Sequence, residues 1–246
     1  MFDLLSMAEL TASSAIVVFF LSSMLSSTVR QRVWIAAALT LWFCLIVTAG
    51  ATGALARPIG PGIPGVGFAV LVPVVVLSLL VLGTARGRDL VRRVPMTGLV
   101  GVNILRVLGI TFVLLYWTKR LPAPFAPTAG WGDVSVGLLA IPLVLVMSRG
   151  AGELPKGWIL LWNMLGTADL LTAVTLGATS SPGPLQLFHS GPSSAIMASL
   201  PMILIPCFLV PSFLFIHLCT FYRLRTLAPH ARSEKLHSIP MAAPGL

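Results

Sequence analysis

Arg106 and Asp169 stand in two separate apolar runs, at 98–118 and 157–177. Hydrocarbon offers an ionised side chain no partner, and an arginine at depth costs at least ~2.5–3.5 kcal/mol on insertion scales. Opposite charges in such places pair with each other or line a polar path. At ~1.5 Å of rise per residue, Arg106 lies roughly 10–12 Å from the inner boundary of its run and Asp169 roughly 16–17 Å from its own. An arginine side chain bridges that offset. Asn103 shares the face of Arg106, three residues earlier, while Asn163 and Thr167 add an amide and a hydroxyl to the helix of Asp169. Asp133 opens the run at 131–148 near the outer interface. At that depth it is too shallow to reach Arg106, and it reads either as a helix cap or as the mouth of an outward-facing cavity. His217 lies near the inner end of the last run, as a packed side chain or a proton relay.

Other membrane chemistries lack their residues. A retinal Schiff base needs a lysine inside a helix, and Lys119, Lys156 and Lys235 all lie at or beyond run boundaries. There is no HExxH, histidine box or DxxD pair for a metal, no P-loop, and no dinucleotide fingerprint. Haem between two helical histidines is disfavoured because His217 is the one histidine in an apolar run. The serines of 189–195 fall in a loop without an acid–base partner. No catalytic residue, metal ligand or cofactor is therefore assigned, and the expected ligand is a small molecule or an ion.

These residues need seven elements to hold them. The chain has 246 residues, of which 57% are hydrophobic and 9% charged, with a mean hydropathy of +0.96. A spanning helix takes roughly 20 apolar residues to cross about 30 Å of hydrocarbon. Such runs occur at about 10–27, 33–50, 66–83, 98–118, 131–148, 157–177 and 198–222. They are too long for strands and lack the alternation of an outer-membrane barrel. The expectation is a single all-α polytopic domain over 1–222, with a basic, unordered tail over 223–246. The start, MFDLLSMAEL, has no basic n-region, so it is not read as a signal peptide. Cys44, Cys207 and Cys219 all fall within apolar runs and read as small buried hydrophobes.

The net charge of +9 is distributed by topology. Arg30, Arg32, Arg86, Arg88, Arg92, Arg93, Arg149, Lys156, Arg223, Arg225, Arg232 and Lys235 fall on one side. Arg57, Lys119 and Arg120 fall on the other. The positive-inside rule then puts the N-terminus outside and the C-terminus in the cytoplasm. Trp34, Trp158 and Tyr222 mark the inner interface, and Trp117 and Trp131 the outer. The basic excess attracts anionic membrane lipid and is no sign of nucleic-acid binding.

Three connecting features stand out. The segment 51–66 is a Gly/Pro-rich loop, and 178–197 is a long outer loop with Pro182, Pro184 and Pro192, suited to a lid or to disorder. Pro201, Pro206 and Pro211 should kink or partly unwind the last run, since each removes a backbone donor. Freed carbonyls there can line a site, although a bent packing helix gives the same pattern.

RVLG at 106–109, LPAPFA at 121–126, GWGD at 130–133, WNMLGTAD at 162–169 and IPCFLVPSFLFIH at 205–217 resemble a family of bacterial multi-pass membrane proteins of unknown function. The resemblance covers roughly 100–225. It implies that Arg106, Asp133, Asn163, Asp169 and His217 belong to one shared site, and it brings no activity with it. Two readings follow for a protein of the bacterial inner membrane. One is binding or translocation of a small solute or ion through a polar cavity between spans 4 to 7. The other is a non-catalytic scaffold or subunit in which Arg106 and Asp169 lock helices together. Protein partners and oligomeric state are left open by the sequence.

Overall fold

The computed structural model describes residues 2–56, 65–149 and 156–237. Among these there is no strand. The helices are α1 (Phe2–Met24), α2 (Val29–Thr52), α3 (Gly65–Val81), α4 (Ala85–Arg93), α5 (Met96–Gly101), α6 (Ile110–Trp117), α7 (Phe125–Ser148), α8 (Lys156–Thr179) and α9 (Val210–His237). A 3₁₀ segment, Val102–Gly109, joins α5 to α6, and a π segment, Ile205–Leu209, leads into α9. Among the described residues, six stretches are long and apolar enough to cross a membrane, counting α5 to α6 as one and the π segment with α9 as another. The pair α3 and α4 passes the same test together but is bent by 94°. Residues 57–64 of the 51–66 loop, Arg57 among them, and the last residues of the tail lie outside the described residues.

Polarity is distributed opposite to that of a water-soluble bundle. Leu4, Phe19, Leu41, Leu45, Leu79, Leu138, Leu161 and Leu171 are exposed, while Ser13, Ser14, Asn103, Arg106, Asn163, Ser212 and His217 are buried. Burying polar groups and exposing leucine is favourable where the surroundings are lipid. The stretch from Met202 to Leu224 is the central post, with Phe208, Phe215, Ile216 and His217 fully enclosed. α2 is peripheral and buries only Leu39 and Ile46. Cys44 sits on its exposed face, contrary to expectation, because an apolar run says nothing about which side of a helix faces inward.

Several boundaries move, with consequences for the site. α1 begins eight residues before the expected start at 10, so Glu9 is inside the span. α7 begins at Phe125 rather than 131, with Pro124 as its N-cap residue, so Trp131 and Asp133 lie well within the helix. Proline is compatible with a helix's first turn, which is how PAPF starts a helix where the hydropathy run has not yet begun. The expected helix at 98–118 is broken into α5, the 3₁₀ segment and α6. The last span departs most. Pro206 lies in the π segment, where Val210 N–H donates to Ile205 O, and regular helix begins only beyond it. α9 then continues to His237, so the segment expected to be unordered from 223 is helical that far.

The 178–197 loop is tied down. Leu187 N donates to Thr179 O at 2.8 Å, Ser194 N to Ser180 O at 3.0 Å, and Ser194 Oγ to Gly177 O at 2.7 Å. A short 3₁₀ turn, Ser194–Ala198, closes it.

Candidate functional site

The 3₁₀ segment sets the site's geometry. Residues three apart eclipse in this conformation, so Asn103 and Arg106 stand in line on the inward face. Both are buried, at 0% and 3% exposure. Glycines on the neighbouring helices let that face come unusually close. A Cβ on Gly137 would lie 2.6 Å from the backbone nitrogen of Val107, and one on Gly109 would strike Asp133. A Cβ on Gly132 would fall on the Asp169 carboxylate, and one on Gly166 would lie 2.6 Å from His217 Cε1 and 3.1 Å from Arg106 Nη1. Small residues permitting close backbone approach are the usual means of packing helices in lipid.

Arg106 is the hub. Its Nε donates to Asp133 Oδ1 at 2.7 Å, and its Nη2 donates to Asp169 Oδ2. Nη1 donates to Gly166 O at 3.2 Å and meets His217 Nε2 at 3.0 Å. A guanidinium has no acceptor, so His217 Nε2 must accept. The proton of the neutral ring is then on Nδ1, which donates to Asn163 Oδ1 at 2.7 Å. Asn163 Nδ2 in turn donates to His217 O at 3.1 Å, which fixes the amide's orientation. One arginine thus joins the 3₁₀ segment to α7, α8 and α9. Trp162 packs beside the histidine, its ring 5.5 Å from that of His217 and its Nε1 donating to Val136 O at 3.0 Å.

The Arg106–Asp169 pair expected from depth is present. The expectation that Asp133 is too shallow to reach Arg106 is wrong. It followed from starting α7 at 131; the true start at Phe125 places Asp133 about two turns down the helix, beside Arg106. The cap reading fails for the same reason. His217 joins the cluster through both ring nitrogens, and Asn163 through both amide atoms. Asn103 and Thr167 do not join it. Asn103 Nδ2 donates to Leu99 O, and Thr167 Oγ1 to Asn163 O, each one turn back on its own segment. Asn103 Oδ1 is buried with no hydrogen-bond partner among the described residues.

One contributor went unrecognised. Glu9 of α1 accepts from Thr111 Oγ1 at 3.0 and 3.2 Å and lines a cavity of about 50 Å³ with Arg106 and Asp133. The cavity lies beside the guanidinium, between α1, the 3₁₀ segment, α6, α7, α8, the π segment and α9, with Leu105, Phe112, Leu170, Ile205 and Phe213 among its apolar walls. It therefore involves span 1 as well as spans 4 to 7. Its volume accommodates a few waters and nothing much larger. Three carboxylates surround or adjoin a single buried guanidinium, whose side chain is 1% exposed against 15% for Asp133 and 11% for Asp169. Among the described residues, no three His, Cys, Asp or Glu side chains are grouped so as to hold a metal ion.

The signal for Glu9 was its place in MAEL, next to a run that could extend backwards by two turns. The signal for the close packing was the glycine spacing in GWGD and NMLG, which hydropathy averages out. No curated protein and no solved structure matches the chain. Residues 63–225 match the family described as Domain of unknown function (DUF8737), a stretch that begins earlier than the resemblance at 100–225 and contains the whole cluster from Arg106 to His217 but not Glu9. The chain belongs to that family of unknown function.

Proposed function

We propose that this is a seven-span protein of a bacterial cytoplasmic membrane, N-terminus outside, that binds or conducts a proton or small cation through the Glu9–Asp133–Arg106–Asp169 site. The observation that carries the reading is the excess of carboxylate around one arginine in a water-sized cavity. Arg106 already donates to two carboxylates, a carbonyl and a histidine, so recognition of an anionic solute by Arg106 is disfavoured. Its role is that of a fixed counter-ion. Glu9 and Asp133 line the cavity and are the groups with a face toward water, while Asp169 pairs with the guanidinium and is not among the lining residues. The breaks at the 3₁₀ and π segments both border the cavity, through Arg106 and Gly109 and through Ile205 and Leu209, and provide the flexible element.

Seven spans require the bent α3–α4 pair to cross once, with α4 lying in the interface. The orientation is supported by the clustering of basic residues at one end. There Arg92 lies 5.7 Å over the Tyr222 ring and Lys156 Nζ donates to Leu227 O.

The second reading, a scaffold, draws support from how completely the Arg106–His217–Asn163 chain is satisfied. The two separate in proteoliposomes carrying a trapped pH dye. Wild type should conduct protons under an imposed potential, and folded Asp169→Asn should lose most of that flux. Wild-type vesicles no leakier to protons than empty ones would reject proton conduction and favour the scaffold.

A further inference from the structure

A second cavity, of about 300 Å³, lies at the basic end, between α4 and the turn that joins α1 to α2. Its construction begins at Gly83 and Thr84, where the chain turns by 94° out of α3. Thr84 Oγ1 accepts from Gly87 N at 3.1 Å and caps α4, and Gly87 lets α4 rest against the end of α3, since a Cβ there would strike Val81. Val91, fully buried, pins the inner face. An apolar span that ends in a short perpendicular basic helix puts that helix at headgroup level.

The arginines of α4 divide by partner. Arg88 Nη1 donates to Leu82 O at 3.0 Å, and Arg92 pairs with Asp89 at 2.9 Å. Arg86 and Arg93 are both exposed with no hydrogen-bond or ion-pair partner among the described residues, and of the two it is Arg93 that borders the cavity. It lines the cavity together with Ser23, Ser26 and Ser27 of the opposite wall, while Phe20 and Leu90 are among the apolar residues of the floor. The serine hydroxyls donate to Phe19 O, Ser23 O and Gln31 Oε1, so Arg93 is the group left to meet a negative head, beside the apolar Phe20 and Leu90 that suit hydrocarbon.

We propose that this cavity seats the phosphate headgroup of an anionic phospholipid, with Arg93 pairing to the phosphate and the first part of an acyl chain lying along Phe20 and Leu90. The site is independent of the Arg106 cluster and of any ion flux. It is tested on the full chain purified in detergent, by following its apparent melting temperature against added phosphatidylglycerol, phosphatidylcholine of the same chains, and inorganic phosphate. Phosphatidylglycerol should stabilise wild type more than phosphatidylcholine does. Arg93→Gln should need about fivefold more phosphatidylglycerol for the same shift, the equivalent of about 1 kcal/mol for one basic residue at the surface. Ser26→Phe, which fills the cavity and leaves the charge, should show the same loss. Arg225→Gln, at an exposed position outside the cavity lining, should respond as wild type does. Equal losses in Arg93→Gln and Arg225→Gln would mean diffuse charge attraction and overturn the site. So would a wild-type response from Arg93→Gln, or a full shift from inorganic phosphate alone.

Discussion

α2 and α9 read alike as hydropathy and occupy opposite places in the molecule. α2 turns Val33, Trp34, Leu41 and Leu45 outward and buries two side chains, whereas no residue from Met202 to Leu224 is exposed and most are buried. In water the more apolar helix would take the centre. In a bilayer apolarity is no reason to go inside, so the centre falls to helices with something that lipid cannot satisfy. α9 has His217, bonded on both sides, and Ser212 and Thr220, which bond back to Phe208 O of the π segment and Ile216 O at 2.7 and 2.9 Å. Gly166 of α8 lets it approach, and Gly137 of α7 does the same for the 3₁₀ segment. Polar and small residues decide the interior here, and leucine decides only that there is a span.

The comparison breaks most severely at its hub. Arg106→Leu strands Asp133 and Asp169 as uncompensated buried carboxylates, a loss of about 3–5 kcal/mol. The expected outcome is a protein that fails to purify as a single species, read by fluorescence-detected size exclusion. The charge swap Arg106→Asp with Asp169→Arg should not rescue it, because an aspartate at 106 would face Asp133. Rescue by the swap would mean that Asp133 does not depend on Arg106.

Close packing is the next largest effect. Gly132→Ala drives a methyl onto the Asp169 carboxylate and should cost about 1–3 kcal/mol, seen as a lower apparent melting temperature. Gly67→Ala on α3, where a Cβ meets nothing within 4 Å, should be neutral or slightly stabilising. Equal effects at the two glycines would remove the distinction between packed core and periphery. His217→Ala leaves Asn163 Oδ1 without its donor and Arg106 Nη1 short of an acceptor, for about 1–3 kcal/mol. The smallest effect belongs to α2. Leu45→Ala, 59% exposed, should stay within about 0.5 kcal/mol in the same assay.

What the sequence made legible follows the same division. The all-α class and the long spans were visible because length and apolarity are averages over many residues. The Arg106–Asp169 pairing was visible because two costly charges at similar depth leave few alternatives. Asp133 was misplaced because a hydropathy window cannot see that PAPF already starts a helix. Glu9 was passed over in the same way, since its acidic neighbourhood argued against the span extending that far. The break at 102–109 had no proline to announce it; its flanking glycines, Gly101 and Gly109, were the available mark. By contrast, the three prolines of the last span did announce the π segment.

The central claim is that the cavity beside Arg106 handles an ion and is more than a structural knot. Glu9→Gln tests it most directly, because Glu9 is half-buried, hydrogen-bonds to Thr111 alone among the described residues, and can lose its charge at little structural cost. Proton flux into proteoliposomes should fall at least about tenfold in this variant, as expected when a relay group cannot change charge, while the apparent melting temperature stays near that of wild type. Unchanged flux at unchanged stability would contradict the account and leave the cluster a purely architectural lock.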